Sequence, residues 1–343
     1  MSTALRVRVL EVVRETPDAQ SLVLEPVEQH DQLGYRPGQF LTVRIPSDRP
    51  EGAARCYSLS SSPVHDEKPK VTVRRTAGGY GSNWLCDHVQ EGSVLDVLRP
   101  SGTFTPPSLD EDLLLVAGGS GITPVMSILE SCLLGGSGTV ALVYANRGER
   151  SVIFADELHA LVREHPERLT LVHWLESVQG VPTAAALQGL VQAYADRRAF
   201  VCGPPQFMDV VGTALAELGV PRDRIHRETF TSLTSDPFAV SEPQPSDDGA
   251  QPCSTVEVLL DGECCTVVWP RNRKLLDVLL DEGLDAPYSC RQGQCSACAC
   301  LLLEGDVDLE HNEVLDEQDL ADGIVLGCQA VPLTERVKVS YDA

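Results

Sequence analysis

Four cysteines fall within eleven residues near the end of the 343-residue chain, in the segment APYSCRQGQCSACACLLLEGDV. Their spacing begins Cys290-x4-Cys295-x2-Cys298, and Cys328 follows after another 29 residues. Three thiolates this close in sequence can meet at one point only if the chain between them folds as a tight loop. Gly293 suits such a loop, because glycine allows backbone amides to approach sulfur closely. The segment is therefore expected to wrap a small inorganic centre.

The spacing C-x4-C-x2-C with a remote fourth cysteine is the pattern of plant-type [2Fe–2S] clusters. We predict that Cys290, Cys295, Cys298 and Cys328 are the iron ligands. Cys300 would already lie in the strand that follows, and we interpret it as a bystander. A zinc site and a reactive thiol pair are the alternatives, although zinc sites usually pair two C-x2-C knuckles or use histidine. A Rieske centre would need two histidine ligands, which this segment lacks.

The chain divides into segments of different character, since 343 residues exceed one ordinary domain. Short alternating runs separated by Pro and Gly turns predict an all-β domain over residues 1–109. Alternating strand and helix patterns over 110–233 predict a doubly wound α/β domain with a parallel sheet. Residues 234–252 are rich in Pro, Ser, Asp and Gln, which is typical of a linker. Residues 253–343 form a separate C-terminal segment.

The net charge of −23 argues against a nucleic acid or an anionic membrane as partner. Residues 253–343 carry 18 acidic and 6 basic side chains. This excess either keeps the domain soluble or lets it dock on a basic protein surface. No apolar run reaches the length of a bilayer-spanning helix, and residues 1–13 lack the apolar core of a signal peptide. We therefore expect a cytoplasmic protein without membrane insertion.

Three motifs stand out from the strand pattern of the first domain. RCYSLSSSP begins at Arg55, and VTVRRTAGGYGSNWL and RPSGTF follow it. Gly79, Gly81 and Ser82 would present backbone amides and a hydroxyl at the start of a helix, where an anion is stabilised. The Arg55 motif alone is also compatible with an ordinary strand, but the three motifs together favour a cofactor site.

Together these motifs resemble the ferredoxin–NADP reductase superfamily, in which an antiparallel β-barrel holds flavin. The resemblance implies that Arg55 pairs with the pyrophosphate, Tyr57 covers one face of the ring and Ser58 reaches flavin N5. The glycine-rich loop implies FAD rather than FMN. Phe230 would shield the other face of the flavin, or it is an ordinary core residue. The FAD-binding residues implied by the resemblance are Arg55, Tyr57, Ser58, Val73, Arg75, Gly79, Gly81, Ser82, Thr123 and Phe230.

The segment LLLVAGGSGITPVMSIL is predicted to form a buried strand, a glycine turn and a helix start, which suits a dinucleotide phosphate. It lacks the G-x-G-x-x-G fingerprint, because Pro124 stands where that pattern needs glycine. The resemblance implies that Thr123 lies near both flavin and nicotinamide, and that Cys202 lies beside the nicotinamide ring. Arg147 would either bind the 2′-phosphate of NADPH or stack on the adenine of NADH, and we favour NADH. The nucleotide contacts implied in this way are Gly119, Ser120, Gly121, Asn146, Arg147, Cys202, Gly203, Pro204 and Met208.

The order of flavin barrel, nicotinamide domain, linker and C-terminal ferredoxin resembles the reductase components of bacterial multicomponent oxygenases. Among these, the chain resembles the branch of the 3-ketosteroid 9α-hydroxylase and phenylacetyl-CoA epoxidase reductases. Residues 253–343 resemble plant-type ferredoxins, which implies an α+β (β-grasp) fold. One strand is expected over residues 254–269 and a helix over 274–283.

The resemblance also implies a path for electrons. They would enter from NADH, pass to FAD and the [2Fe–2S] cluster, and leave to a separate terminal oxygenase. Ser58, Thr123 and Cys202 are the implied catalytic residues. A Rieske oxygenase of the 3-ketosteroid 9α-hydroxylase type is the expected acceptor, and a diiron oxygenase such as phenylacetyl-CoA epoxidase is the alternative. The alternative from another class is a flavin and iron–sulfur redox sensor.

Overall fold

The computed structural model describes residues 4–28, 33–47, 53–65, 68–230, 232–233, 236–238 and 253–342. They form three units, each built on its own main β-sheet, and this confirms the predicted fold class. Most of the predicted linker lies outside the described residues, and the predicted domain boundaries stay predictions. In the described part of the chain, no helix is both long and apolar enough to span a bilayer.

The first unit contains six strands and one helix: β1 (Leu5–Thr16), β2 (Ala19–Pro26), β3 (Phe40–Arg44), β4 (Ala54–Ser58), β5 (Lys70–Arg74), α1 (Tyr80–His88) and β6 (Val94–Val97). The strands pair in the order β4-β3-β6-β1-β2-β5, and all pairs are antiparallel. An isolated bridge between Leu59 and Val71 joins the two ends of the sheet. The sheet therefore closes into a barrel.

Side chains alternate between the two faces of each barrel strand. On β3, Leu41 and Val43 belong to the apolar core of the barrel. Thr42 lies between them and must therefore face outward, yet it is fully buried. Another part of the chain consequently covers the outer face of β3.

The second unit alternates strands and helices: β7 (Leu113–Gly118), α2 (Ile122–Gly135), β8 (Val140–Asn146), α3 (Ala155–Glu164), β9 (Leu169–Leu175), α4 (Glu176–Gln179), α5 (Ala184–Val191), β10 (Arg198–Cys202), α6 (Pro205–Glu217) and β11 (Ile225–Glu228). Its sheet is parallel throughout, in the order β11-β10-β7-β8-β9. Helices α2 and α3 pack on one face, and α5 and α6 pack on the other. The carboxyl ends of all five strands share one edge, where ligands bind in such sheets.

The third unit contains β12 (Cys253–Leu260), β13 (Glu263–Pro270), α7 (Leu275–Asp281), β14 (Ala299–Glu304), β15 (Val307–Leu309), α8 (Glu317–Ala321), β16 (Ile324–Leu326), β17 (Ala330–Pro332) and β18 (Arg336–Ser340). The main sheet has the order β13-β12-β18-β14-β16, and β15 pairs with β17. Helix α7 lies within the predicted helix over 274–283, and its leucines pack into the core of this unit.

The prediction of a single strand over residues 254–269 is wrong. The segment forms two antiparallel strands, β12 and β13, which turn at Asp261 and Gly262. Both turn residues have positive φ, 53° and 77°. An Asp-Gly pair is favoured in such two-residue hairpins, because their twist matches that of the flanking strands. The turn signal was present in the sequence and outweighs the continuous apolar pattern.

Gly38 is expected to be essential for the stability of the barrel. It has φ of +90°, and a Cβ at this position would lie 2.0 Å from the carbonyl oxygen of Phe104. Gly38→Ala should therefore destabilise the protein by more than about 1 kcal/mol, lowering the thermal midpoint by about 2 °C or more. Gly34→Ala is the matched control in the same loop, since no atom lies within 4 Å of its Cβ position. Thermal midpoints are measured by circular dichroism. Equal midpoints for the two variants would contradict this packing.

Candidate functional site

The flavin side of the candidate site is built on β4, which carries Arg55, Tyr57 and Ser58. Arg55 lies against the start of α1, because a Cβ on Gly81 would come within 2.7 Å of Arg55 Cγ. The N-cap residue of α1 is Gly79, which has no side chain to cap the amides at the start of the helix. These amides and the guanidinium group both favour an anion. The arrangement therefore fits a pyrophosphate held between Arg55 and α1.

Only some of the other residues predicted to bind flavin lie near the start of α1. Ser82 is buried in the first turn of α1, next to Gly79, and its Oγ accepts the amide of Thr76 at 3.1 Å. Val73, in contrast, points into the barrel core. Arg75 pairs with Asp87 at 2.6 Å on the surface. The side chains of Val73 and Arg75 thus lie away from the start of α1.

A small cleft opens beside Ser58 at the end of β4. Phe230 borders this cleft and is 46% exposed, so it is not a core residue. Cys295 reaches the same cleft from the third unit. All three units therefore contribute to its lining, which consists of Phe40, Cys56, Ser58, Glu228, Thr229, Phe230 and Cys295.

Two glycine turns meet at the carboxyl edge of the parallel sheet. A Cβ on Gly121 would lie 2.2 Å from the carbonyl oxygen of Cys202, and one on Gly203 would lie 3.0 Å from Gly118 Cα. The turns after β7 and β10 therefore pack backbone to backbone, and Gly121 accepts no side chain. Thr123 is buried beside them, and its Oγ1 donates to the carbonyl of Ser120 at 3.1 Å. This packing brings together the predicted nucleotide residues Gly119, Ser120, Gly121, Thr123, Cys202, Gly203 and Pro204.

Asn146 ends β8 at the same edge and is only 4% exposed. Among the described residues, no hydrogen bond of good geometry reaches its Nδ2 or Oδ1, although the Tyr144 side chain lies beside the amide. A buried amide in this state is costly unless a ligand or water satisfies it, so Asn146 fits a nucleotide contact. Arg147 follows it and is exposed. Met208 is instead buried in the core beneath α6, so its side chain does not reach the edge.

Glu228 is a cleft residue that the sequence prediction missed. It pairs with Cys202 across β10 and β11, and it lines the cleft together with Ser58. Desolvation raises the pKa of its carboxyl group to about 8. Burial also raises the pKa of the Cys202 thiol, so both groups are protonated at neutral pH. One sequence signal could have revealed Glu228: it is an acidic residue at a strand end, two positions before Phe230.

The four cysteines predicted to bind iron converge in the third unit. Cys295 Sγ lies 3.1 Å from Cys290 Sγ, and the Cys328 thiol contacts those of Cys290 and Cys298. The backbone amides of Gln292 and Gln294 point at Cys290 Sγ, at 3.3 and 3.4 Å. Hydrogen bonds from Cys295, from Cys328 and from these amides hold the pKa of Cys290 well below its usual range.

This donor set suits an iron–sulfur cluster, since thiolates ligate the iron and amides stabilise the negative sulfurs. The thiols touch one another, and no three described His, Cys, Asp or Glu side chains are spaced as ligands of a single ion. Cys300 lies apart in β14, and burial raises the pKa of its thiol. Its position agrees with the interpretation of Cys300 as a bystander.

Three family models match the chain in the order of its three units. They are an oxidoreductase FAD-binding domain over residues 6–105, an oxidoreductase NAD-binding domain over 115–213 and a 2Fe-2S iron-sulfur cluster binding domain over 258–333. The ferredoxin reductase component of 3-ketosteroid-9-alpha-monooxygenase from Rhodococcus rhodochrous is 56% identical, over 96% of this chain and 95% of its own. The chain belongs to this family of ferredoxin reductase components.

More distant relatives keep the same arrangement. One component of the 1,2-phenylacetyl-CoA epoxidase from Escherichia coli (strain K12) is 34% identical over the whole chain and 99% of its own length. The solved structure of phthalate dioxygenase reductase has 23% identity and a TM-score of 0.57, with 98% of both chains covered, and shares the fold. The protein is thus an oxidoreductase with FAD, NAD(H) and a [2Fe–2S] cluster as cofactors, as predicted, whereas the individual contact residues stay predictions.

The cysteine assignment can be tested by iron content. Cys328→Ala should lower iron from about two atoms per chain to near zero, because it removes the distant fourth ligand. Cys300→Ala, the matched control, should keep its iron and its visible absorbance. Iron analysis of both purified variants is the measurement. Loss of iron from Cys300→Ala with retention in Cys328→Ala would reverse the assignment.

Glu228 should impose a pH dependence on flavin reduction. Its carboxyl group is neutral below a pH of about 8 and negative above it, and a negative charge in the cleft opposes the arrival of electrons. The rate at which NADH reduces flavin should therefore fall as the pH rises through about 8. Stopped-flow measurements on Glu228→Gln should show no such fall. The control, Glu164→Gln on the exposed side of α3, should still show the fall in rate. A pH profile of Glu228→Gln that equals the wild-type profile would disprove the role of Glu228.

Proposed function

We propose that the protein is the NADH-dependent reductase component of an oxygenase that hydroxylates 3-ketosteroids at the 9α position. Its main support is the cleft in which Ser58 and Phe230 face Cys295 of the cysteine loop. A flavin bound by the first two residues would neighbour a cluster bound by the third. Close neighbours are what electron transfer between two cofactors requires.

The protein's part in this reaction is binding and positioning. Bound FAD would supply the chemistry that links a two-electron donor to a one-electron cluster. Arg55 and the start of α1 would hold the pyrophosphate, while Tyr57 and Phe230 would cover the two faces of the ring. Ser58 would donate a hydrogen bond to the flavin edge in the cleft.

The nicotinamide would lie between the glycine turns and this cleft. Thr123 and Cys202 are buried at that edge and would border the reacting ring. The Cys202 thiol is protonated, so it would act as a neutral contact rather than as a nucleophile. Asn146 would bind the nucleotide with its unused amide atoms, and exposed Arg147 would stack on the adenine of NADH.

The proposed partner is a terminal oxygenase of the Rieske type. Residues 234–252 would tether the ferredoxin domain (253–343), and its acidic surface would dock on basic side chains of the oxygenase. The cysteines of the described residues form no disulfide bonds with one another, which would suit the reducing cytoplasm as the place of action. Similarity at 56% identity to a steroid monooxygenase reductase, against 34% for an epoxidase component, favours the steroid reaction.

An anaerobic titration of the holoprotein is the first test. NADH should bleach the flavin absorbance, and a rhombic [2Fe–2S] signal should then appear in low-temperature EPR spectra. NADPH should reduce the protein much more slowly, because Arg147 would be stacked on the adenine and not paired with a 2′-phosphate. A bleached flavin without any cluster signal would refute the electron path and favour a redox sensor.

Reconstitution with a terminal oxygenase is the second stage of this test. A 3-ketosteroid 9α-hydroxylase oxygenase should form hydroxylated steroid with the protein and NADH. The matched comparison replaces it with a phenylacetyl-CoA epoxidase and its substrate. Product formed only with the epoxidase would overturn the steroid assignment while leaving the reductase activity intact.

A further inference from the structure

A hydrogen-bonded triangle of side chains joins the flavin barrel to the ferredoxin domain. Ser289 Oγ lies 2.8 Å from Thr42 Oγ1 and 3.3 Å from Cys56 Sγ, and the latter two atoms are 3.7 Å apart. Thr42 and Ser289 are only 0% and 1% exposed. Water therefore cannot replace the contact between them unless the two domains separate.

The barrel by itself does not explain why these groups are buried. Thr42 and Cys56 are opposite one another on β3 and β4, and both lie on the outer face. Cys290 packs on this face against Ala54 and Cys56. The small side chains at these three barrel positions thus form a seat for the cysteine loop.

Two other polar contacts between the two domains are exposed. Arg99 pairs with Asp285 at 2.6 Å, and both side chains are about half exposed. Thr103 Oγ1 donates to Ser296 Oγ at 3.3 Å, also in an exposed position. Exposed ion pairs and hydrogen bonds contribute little, because water competes for the same groups. The buried triangle is therefore the directional contact at the centre.

Two members of the triangle are next in sequence to residues of the proposed flavin and cluster sites. Cys56 precedes Tyr57 and Ser58 on β4, and Ser289 precedes Cys290. We propose that Ser289, with Thr42 and Cys56, is a positioning group that holds the cysteine loop in register on the flavin barrel. This inference rests on the proposed function, in which the two electrons of each NADH would pass to the cluster one at a time, the first leaving to the terminal oxygenase before the second arrives.

The expected result of breaking the triangle is a selective loss of electron transfer. Thr42→Val keeps the shape of the side chain and removes its hydroxyl, and Ser289→Ala removes the central hydroxyl. A lost buried hydrogen bond should slow cluster reduction about two- to tenfold. The rate of flavin reduction by NADH and the EPR spectrum of the reduced cluster should not change, since neither binding site is altered. Thr42→Ser should restore the rate.

The experiment uses the full-length holoprotein and two readouts. Stopped-flow absorbance separates flavin reduction from cluster reduction. Hydrogen–deuterium exchange of peptides that cover β3 and β4 reports whether the seat stays covered, and exchange should be faster in Thr42→Val. The matched control is Thr213→Val on the exposed side of α6, which removes a hydroxyl far from the seat.

Wild-type cluster reduction and unchanged exchange in both Thr42→Val and Ser289→Ala would overturn the inference. An equal slowing of flavin reduction would also overturn it, because the triangle would then act on flavin binding. If NADH fails to reduce the cluster of the wild-type protein, the proposed function fails instead. The exchange measurement would still decide whether the triangle holds the loop on the barrel.

Discussion

The contact between strand β4 and the cysteine loop governs the arrangement of the whole site. Side chains two positions apart share a face, so Cys56 and Ser58 both lie on the outer face of β4, and this one face serves two purposes. Cys56 meets the loop at Ser289, while Ser58 borders the cleft that Cys295 also reaches. Small side chains are needed on the covered face, because a larger one would separate the domains and lengthen the path between their cofactors.

The same demand for close approach recurs at the nucleotide edge. Gly121 packs against the Cys202 carbonyl so tightly that a methyl group would overlap it. On the flavin side, Gly81 leaves room for Arg55 in the same way. In both contacts the absence of a side chain on glycine lets backbone amides or a cation come close to the place where a phosphate would bind. Desolvation raises the pKa of the Glu228 carboxyl group to about 8, so this group would face a bound flavin without charge at neutral pH.

Sequence patterns predicted the fold class, the family and the cofactors, because these depend on local motifs and on their order. They missed Glu228 and did not identify a role for Thr42, since a single carboxylate or hydroxyl in a strand has no distinctive spacing. The resemblance also implied cofactor contacts for Val73, Arg75 and Met208, whose side chains the structure places in cores or on the surface. The Asp261–Gly262 turn was visible in the sequence but was overlooked within a long apolar run.

What the sequence determined by itself is the chemistry: the cysteine spacing, the glycine turns and the alternation of strand and helix are all short-range patterns. What only the tertiary structure decided is which of these groups meet. Thr42 and Ser289 are 247 positions apart, and Ser58 and Cys295 are also far apart in the chain, yet each pair shares one surface. Such encounters depend on how two separately folded domains pack, and this is set by complementary buried surfaces that no local pattern encodes.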